Sequence, residues 1–144
     1  MASEYDLDIA YMRVAMAHAK LSRGEKGKVG ACLVTQHGVI LGGCNGLAPG
    51  GSNVLEETTE DGIYRTKDEV IHAELSCILK AAREGVSVVN STLYVTTSCC
   101  LPCSEMIAAA GIQKVVYSDV YRSKEGIDNL IQYGILTQQL LILE

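Results

Sequence analysis

The stretch TTSCCLPCSEM, Thr96 to Met106, places three of the chain's six cysteines within five positions, where a β-rich run gives way to a helix-like one. Any fold of this chain must bring a strand end and a helix start together around that thiol cluster. Residues three apart lie on one helical face, so Cys100 and Cys103 can both reach one tetrahedral ion while Cys99 points elsewhere. A helix start also favours thiolate over thiol, through its unpaired N–H groups and the positive end of the helix dipole. In a reducing compartment, clustered cysteines serve more often as metal ligands or reactive thiols than as disulfide partners. Such a compartment is expected here. The N-terminal MASEYDLDIA carries acids where a secretory signal carries bases. No apolar run approaches the ~20 residues needed to span a bilayer, so a cytoplasmic protein with no membrane partner is anticipated.

A second motif, His72-Ala73-Glu74, opens another helix-like run. His72 can supply a third ligand, because both helices leave the sheet in the same direction if the strands between them are parallel. Three protein ligands and one open position mark a catalytic zinc (Zn2+), whereas a structural site is closed by a fourth ligand. Glu74 separates holding a metal from using it. An ideal helix turns residues two apart to nearly opposite faces, so the motif has to straddle an irregular first turn for both side chains to face the metal. Placed there, Glu74 can take a proton from a water whose pKa falls to about 7 on a catalytic zinc. Cys32, Cys44 and Cys77 lie in apolar runs and read as small buried hydrophobes. His18 reads as a helix-face residue and His37 as a turn residue.

The rest of the chain reads as alternating elements. Asp6 to Leu21 has apolar residues at largely helical spacing, with Gly24 as a stop. VGACLVT and GVILGGCN form a hairpin across Gln36, His37 and Gly38. Gly46 to Glu69 loses periodicity, carries Pro49, Gly50 and Gly51 and then a run of acids, and is expected to be a long loop serving a site. EVIHAELSCILKAARE then predicts a helix, STLYVTT a strand, CSEMIAAAG a helix closed by Gly111 and QKVVYSD a strand. A helix from Lys124 to Tyr133, closed by Gly134, and a last strand LTQQLLIL complete the pattern. Strands joined through helices imply right-handed crossovers and parallel pairing. The expected fold class is α/β, a three-layer α/β/α sandwich with a mixed five-stranded sheet and helices on both faces. With 144 residues and 48% hydrophobic content, one domain over residues 1–144 is expected.

Charge narrows the partners. A net charge of −5 disfavours an extended nucleic-acid surface, since backbone binding rests on Lys and Arg. Local phosphate sites remain available: Lys20, Arg23, Lys26 and Lys28 precede the first strand, and Arg122 and Lys124 follow Tyr121. From these, Arg23 and Lys28 are taken as candidate substrate contacts.

H-x-E combined with P-C-x-x-C is the signature of zinc deaminases. This chain resembles the cytidine deaminase superfamily and, within it, the deoxycytidylate (dCMP) deaminase family of phages and bacteria. KVGACLV, Asn45-Gly46, EVIHAEL, LYVTTSCCLPC, GIQKVVYSD and Tyr121 fall in that family's order. The resemblance implies a cytidine deaminase-like fold, zinc on His72, Cys100 and Cys103, and Glu74 as proton shuttle. The implied reaction is hydrolytic deamination of dCMP to dUMP and ammonia, supplying dUMP for thymidylate synthesis. It further implies that Asn45 contacts the substrate, that the Ala73 N–H meets the base carbonyl, that the Ser98 carbonyl receives the amino group, and that Tyr121 lines the pocket. It implies a homohexamer in the cytoplasm, or in a host cell's cytoplasm if phage-encoded, activated by dCTP and inhibited by dTTP with magnesium (Mg2+). The effector site would involve Asn45, Gly46, Gly50, Ser52 and Asn53.

Three departures stand out. Cys99 occupies the usual proline position before the first cysteine ligand, Cys44 that of the tyrosine in Gly-Tyr-Asn-Gly, and Ser76 that of the asparagine following His-Ala-Glu-Leu. The chain has no Phe or Trp, so base stacking falls to Tyr, His72 or aliphatic groups. A tRNA adenosine deaminase shares the His-Ala-Glu and Cys-x-x-Cys core, but its RNA demands more positive charge than this chain offers. A zinc-stabilised nucleotide sensor without turnover has no use for Glu74.

Overall fold

The structure, a computed structural model, describes residues 1–142. Helix α1 (Glu4–Ala19) leads into β1 (Gly30–Val34) and β2 (Ile40–Cys44), followed by β3 (Glu56–Thr58) and β4 (Tyr64–Thr66). Then come α2 (Ala73–Glu84), β5 (Thr92–Thr97), α3 (Leu101–Ala109), β6 (Lys114–Asp119), α4 (Glu125–Gln132) and β7 (Leu136–Gln139). The main sheet runs in the order β2-β1-β5-β6-β7. β1 is antiparallel to both β2 and β5, while β5, β6 and β7 run parallel to one another, so the expected mixed five-stranded sheet is found. The last expected strand ends early, at Gln139, and Leu143 of that run lies outside the described residues.

Period-2 alternation divides the strands between two cores. Ala31, Leu33, Leu93, Val95 and Val115 face one side, where they pack with Ala73 and Cys77 of α2, Cys103 and Ile107 of α3, and Leu130 of α4. Cys32, Tyr94 and Val116 face the other, under Met12 and Ala15 of α1. Burial on both faces explains why β1 and β6 read as continuous apolar runs. Within the α1 core, Tyr94 donates its hydroxyl to Asp8 Oδ1 at 2.7 Å, and Lys114 Nζ lies 3.9 Å from the other carboxylate oxygen. Asp8 is only 4% exposed. Tyr94→Phe is therefore expected to cost about 1–3 kcal/mol, because it strips a buried carboxylate of its nearest donor. Urea unfolding should show a lower midpoint at unchanged slope.

The segment expected to be one long loop contains a hairpin. β3 pairs antiparallel with β4 through Glu56 and Thr66, Glu57 and Arg65, and Thr58 and Tyr64. Its turn repeats that of the β1–β2 hairpin: TQHGV at residues 35–39 and TEDGI at 59–63 fold alike. In the first, Thr35 N–H donates to the Val39 carbonyl at 2.9 Å and Gly38 N–H to the Thr35 carbonyl at 3.0 Å. In the second, Thr59 N–H donates to the Ile63 carbonyl at 2.8 Å and Gly62 N–H to the Thr59 carbonyl at 2.9 Å. Each threonine hydroxyl also accepts the N–H of the fifth residue. Both glycines have positive φ, 86° and 82°, which a side chain would strain. Glu56, 7% exposed, anchors this hairpin by accepting the backbone N–H groups of Glu25 and Lys26 at 3.0 and 3.2 Å. The Tyr64 hydroxyl closes the same junction on the Glu25 carboxylate.

Candidate active site

Two helices start at the carboxyl end of β5, and each gives its N-cap position to a candidate ligand. His72 is the N-cap of α2 and Cys100 that of α3; both have extended backbone, and neither makes a side-chain capping hydrogen bond. N-caps favour Ser, Thr, Asp or Asn by about 1 kcal/mol, so both helix starts forgo that stabilisation. The geometry answers the difficulty posed by His72 and Glu74. With His72 outside the helix and Glu74 in its first turn, the pair straddles the irregular start and can face one space. Cys100 and Cys103 stand at N-cap and N3, the two positions that face each other in a capping box. Pro102 fixes the first turn of α3, where its missing N–H would have had no helical partner.

His72 Nδ1 lies 3.5 Å from Cys100 Sγ and 3.3 Å from Cys103 Sγ. All three ligand atoms fall within 4.8 Å of one another, and they make the one such metal-ligand group found among the described residues. Tetrahedral bonds of about 2.0–2.3 Å to nitrogen and sulfur put a nitrogen and a sulfur ligand roughly 3.5 Å apart, so both separations from His72 match those of a zinc site. The Cys100 thiol is drawn down to about 4 by its hydrogen bonds with Cys103 and His72, while Cys103 is pushed up, first by that same bond with Cys100 and then by burial. His72 is raised, chiefly by its hydrogen bond to Cys100. Glu74, 4% exposed and outside the ligand group, is pushed up to about 6 by burial.

Cys99 turns away. It is 1% exposed in the α2–α3 core, and burial pushes its thiol up to about 12. Cys32 and Cys77 are buried as expected. Cys44 departs from expectation: it is only half-buried and lines a surface cleft, because β2 is the edge of the sheet.

A cavity of about 420 Å³ opens beside the ligand set. It is lined by His72, Ala73, Glu74 and Cys100, by Asn45, Ser98 and Tyr121, and by the cations Lys26, Arg65 and Arg122. Asn45 is held from both ends of its amide: Oδ1 accepts the Val29 N–H at 2.9 Å and Nδ2 donates to the Gly27 carbonyl at 3.0 Å. Ser98 Oγ accepts the Tyr121 N–H at 2.7 Å, tying the segment after β6 to the end of β5. Ala73 occupies the first helical position, where an N–H has no partner within the helix.

Arg23 and Lys28 do not line this cavity. Arg23 faces a neighbouring cleft of about 230 Å³, lined also by Asn45, Gly46, Gly50, Ser52 and Asn53. Asn45 is thus common to both walls. Arg65 was not singled out from the sequence, although it is the lone arginine between Gly46 and Glu69 and sits three residues after a glycine turn.

The profile of the family described as "Cytidine and deoxycytidylate deaminase zinc-binding region" matches residues 6–119. The deoxycytidylate deaminase of Enterobacteria phage T2 is 46% identical over 70 residues, 48% of this chain and 37% of that protein. The chain thus spans little more than a third of that longer relative. The deoxycytidylate deaminase of Mycobacterium phage D29 is 35% identical over 125 residues, 80% of this chain and 96% of that one. In structure, the dCMP deaminase of cyanophage S-TIM5, solved with dCMP and dUMP, superimposes with a TM-score of 0.87 at 38% identity. That match covers 96% of this chain and 100% of the cyanophage chain. With a metal-ligand set, a fold and a sequence profile in agreement, this chain belongs to the cytidine and deoxycytidylate deaminase zinc-binding family.

Proposed function

We propose that the chain hydrolyses dCMP to dUMP and ammonia. The observation that carries this reading is a buried, unligated carboxylate, Glu74, set two residues after the histidine of a three-ligand His/Cys/Cys group. A purely structural zinc site has no need of that carboxylate. The relatives named above act on deoxycytidylate, and the cyanophage enzyme holds dCMP and dUMP.

His72, Cys100 and Cys103 would hold zinc, which supplies at its open position a water acidic enough to react near neutral pH. The chain's own residues do the rest. The Ala73 N–H receives the base carbonyl, the Ser98 carbonyl takes a hydrogen bond from the amino group, and Asn45 and Tyr121 shape the wall around the nucleotide. A Glu74 oxygen accepts a proton from the attacking water and delivers it to ring nitrogen 3. It then transfers the second proton to the departing amino nitrogen, so dCMP and water become dUMP and ammonia. Burial raises the Glu74 carboxyl when no metal is bound, the direction suited to a group that must release a proton as well as accept one.

The finer reading assigns the second cleft to an effector nucleotide. Five residues chosen for that role from the sequence, Asn45, Gly46, Gly50, Ser52 and Asn53, line it together. Gly46 exchanges backbone hydrogen bonds of 3.0 and 2.7 Å with Ile71, the residue before His72, so a ligand there would press on the metal-binding segment. At about 230 Å³ the cleft is smaller than the roughly 300–1,000 Å³ typical of small-molecule sites. A triphosphate would need a neighbouring subunit to complete its site, which the homohexamer we propose supplies. dCTP as activator and dTTP with Mg2+ as inhibitor would then set the supply of dUMP for thymidylate synthesis in the cytoplasm.

The test is ammonia release from dCMP, CMP, deoxycytidine and a tRNA anticodon stem, with zinc content measured on the same preparation. Turnover of dCMP above the others is expected, with dCTP and dTTP shifting it in opposite directions. Zinc-replete protein that binds dCMP and leaves it unchanged would overturn the enzymatic reading. Turnover indifferent to either triphosphate would remove the effector reading alone.

A further inference from the structure

Glu56 opens β3 as a buried carboxylate that forms no ion pair among the described residues. A charge buried without a counter-charge is costly unless hydrogen bonds answer it. One oxygen, Oε2, accepts both the Glu25 and the Lys26 N–H. Glu56 does not line the cavity beside His72, but the segment it grips does, through Lys26, Gly27 and Val29.

That segment, residues 22–29, contains no helix or strand. It is wound instead around Asn45. Ser22 Oγ donates to the Asn45 carbonyl and accepts the Gly24 N–H, both at 3.1 Å. The Asn45 N–H donates to the Val29 carbonyl at 3.1 Å, beside the two side-chain bonds to Val29 and Gly27. Gly24 packs so closely that an added Cβ would overlap the Gly27 carbonyl and press on Asn45 Nδ2. With one bond at each end of its amide, Asn45 keeps one N–H and one lone pair for a ligand in the cavity it lines. The Gly27 carbonyl helps decide which end of that amide donates, and Gly27 follows directly on the two residues that Glu56 clamps.

We propose that Glu56 is a positioning residue for the reaction. By clamping the backbone of Glu25 and Lys26 it holds the Gly27 carbonyl and, through it, the Asn45 amide in the orientation that meets the substrate, without touching the substrate itself. This rests on the deaminase reading for Asn45 as a substrate contact, but makes a separate claim about what orients it.

The experiment uses the zinc-loaded full-length chain as parent, Glu56→Ala, Asn45→Ala and the double variant, and measures kcat/KM for dCMP and, by calorimetry, affinity for dUMP. Glu56→Ala is expected to lower kcat/KM by about 10- to 100-fold, the effect of a small misplacement arising away from the chemistry. In the Asn45→Ala background the same substitution should cost no more than about twofold, because the group it positions is gone. Glu56→Gln, which keeps an acceptor oxygen at the same reach, should recover part of the loss. Glu56→Asp keeps the charge but is one methylene short; it should show a smaller loss that also vanishes without Asn45, and it carries the test if Glu56→Ala does not fold. Because dUMP binding needs no turnover, its cycle tests Glu56 even in a chain that leaves dCMP unchanged, an outcome that would sink the deaminase reading alone. Losses that multiply in the double variant would overturn the proposal and leave Glu56 a structural anchor only. Parental kcat/KM and dUMP affinity in both Glu56→Ala and Glu56→Asp would overturn it equally.

Discussion

Glu74→Gln is expected to keep a full complement of zinc and to lose about 10²–10⁴-fold in kcat on dCMP, the range that a positioned general acid–base supplies. Glutamine fills the same volume at the first turn of α2 but cannot carry a proton from water to ring nitrogen 3 and then to the leaving amine. The stability effect should run the other way. Burial raises the Glu74 carboxyl to about 6, which means the folded metal-free chain resists the ionised form. A neutral amide removes that resistance, so the metal-free variant should melt no lower than the parent at neutral pH. Zinc content, thermal unfolding and steady-state turnover on one preparation separate these effects. Full activity in a zinc-replete Glu74→Gln sample would falsify the assigned role, whereas loss of zinc would move Glu74 into the group that builds the metal site.

Why the metal group was legible in the sequence while its surroundings were not follows from how each is encoded. Cys100 and Cys103 are written in local spacing, a three-residue step at a helix start, and His72 joins them because the α2–β5–α3 order brings both helix starts to one end of the sheet. The central strands β1, β5 and β6 were equally legible, since burial on both faces leaves apolar runs that no loop would tolerate. The β3–β4 hairpin was missed because its strands are three residues long and largely polar, Glu-Glu-Thr and Tyr-Arg-Thr, so neither apolar alternation nor length marks them. Its turn was nonetheless visible. TEDGI repeats the threonine and glycine spacing of TQHGV, already read as a hairpin, and the same hydrogen bonds form in both. Placing the cations required tertiary structure. Arg23 and Lys28 flank Lys26 in sequence, but the anchor of Glu56 on the Glu25 and Lys26 backbone determines which of them reaches the cavity.

Gly126→Ala is expected to weaken zinc binding from a helix that contributes no ligand. Gly126 lies in the first turn of α4, against the backbone of Cys99 and Cys100; an added Cβ would overlap the carbonyl oxygens of both. Those atoms are main chain and cannot rotate aside. The two helices are also pinned together, since Asn129 donates to Ser104 Oγ at 2.9 Å and Ser104 Oγ donates to the Leu101 carbonyl at 2.6 Å. The overlap must therefore be relieved by moving either α4 or the Cys99–Cys100 segment. Overpacking of this kind costs about 1–3 kcal/mol. If half of that falls on the position of Cys100, zinc affinity drops by roughly twofold to twelvefold, since about 1.4 kcal/mol is a factor of ten. Chelator competition would measure the affinity, and melting with and without zinc the total cost. Cys99→Ala supplies the contrast: it removes a buried thiol but leaves the carbonyl that Gly126 approaches. It should lower the melting temperature and keep zinc affinity. The reverse pattern, zinc lost in Cys99→Ala and retained in Gly126→Ala, would mean that the third sulfur of the cluster, and not only the two facing His72, takes part in holding the metal.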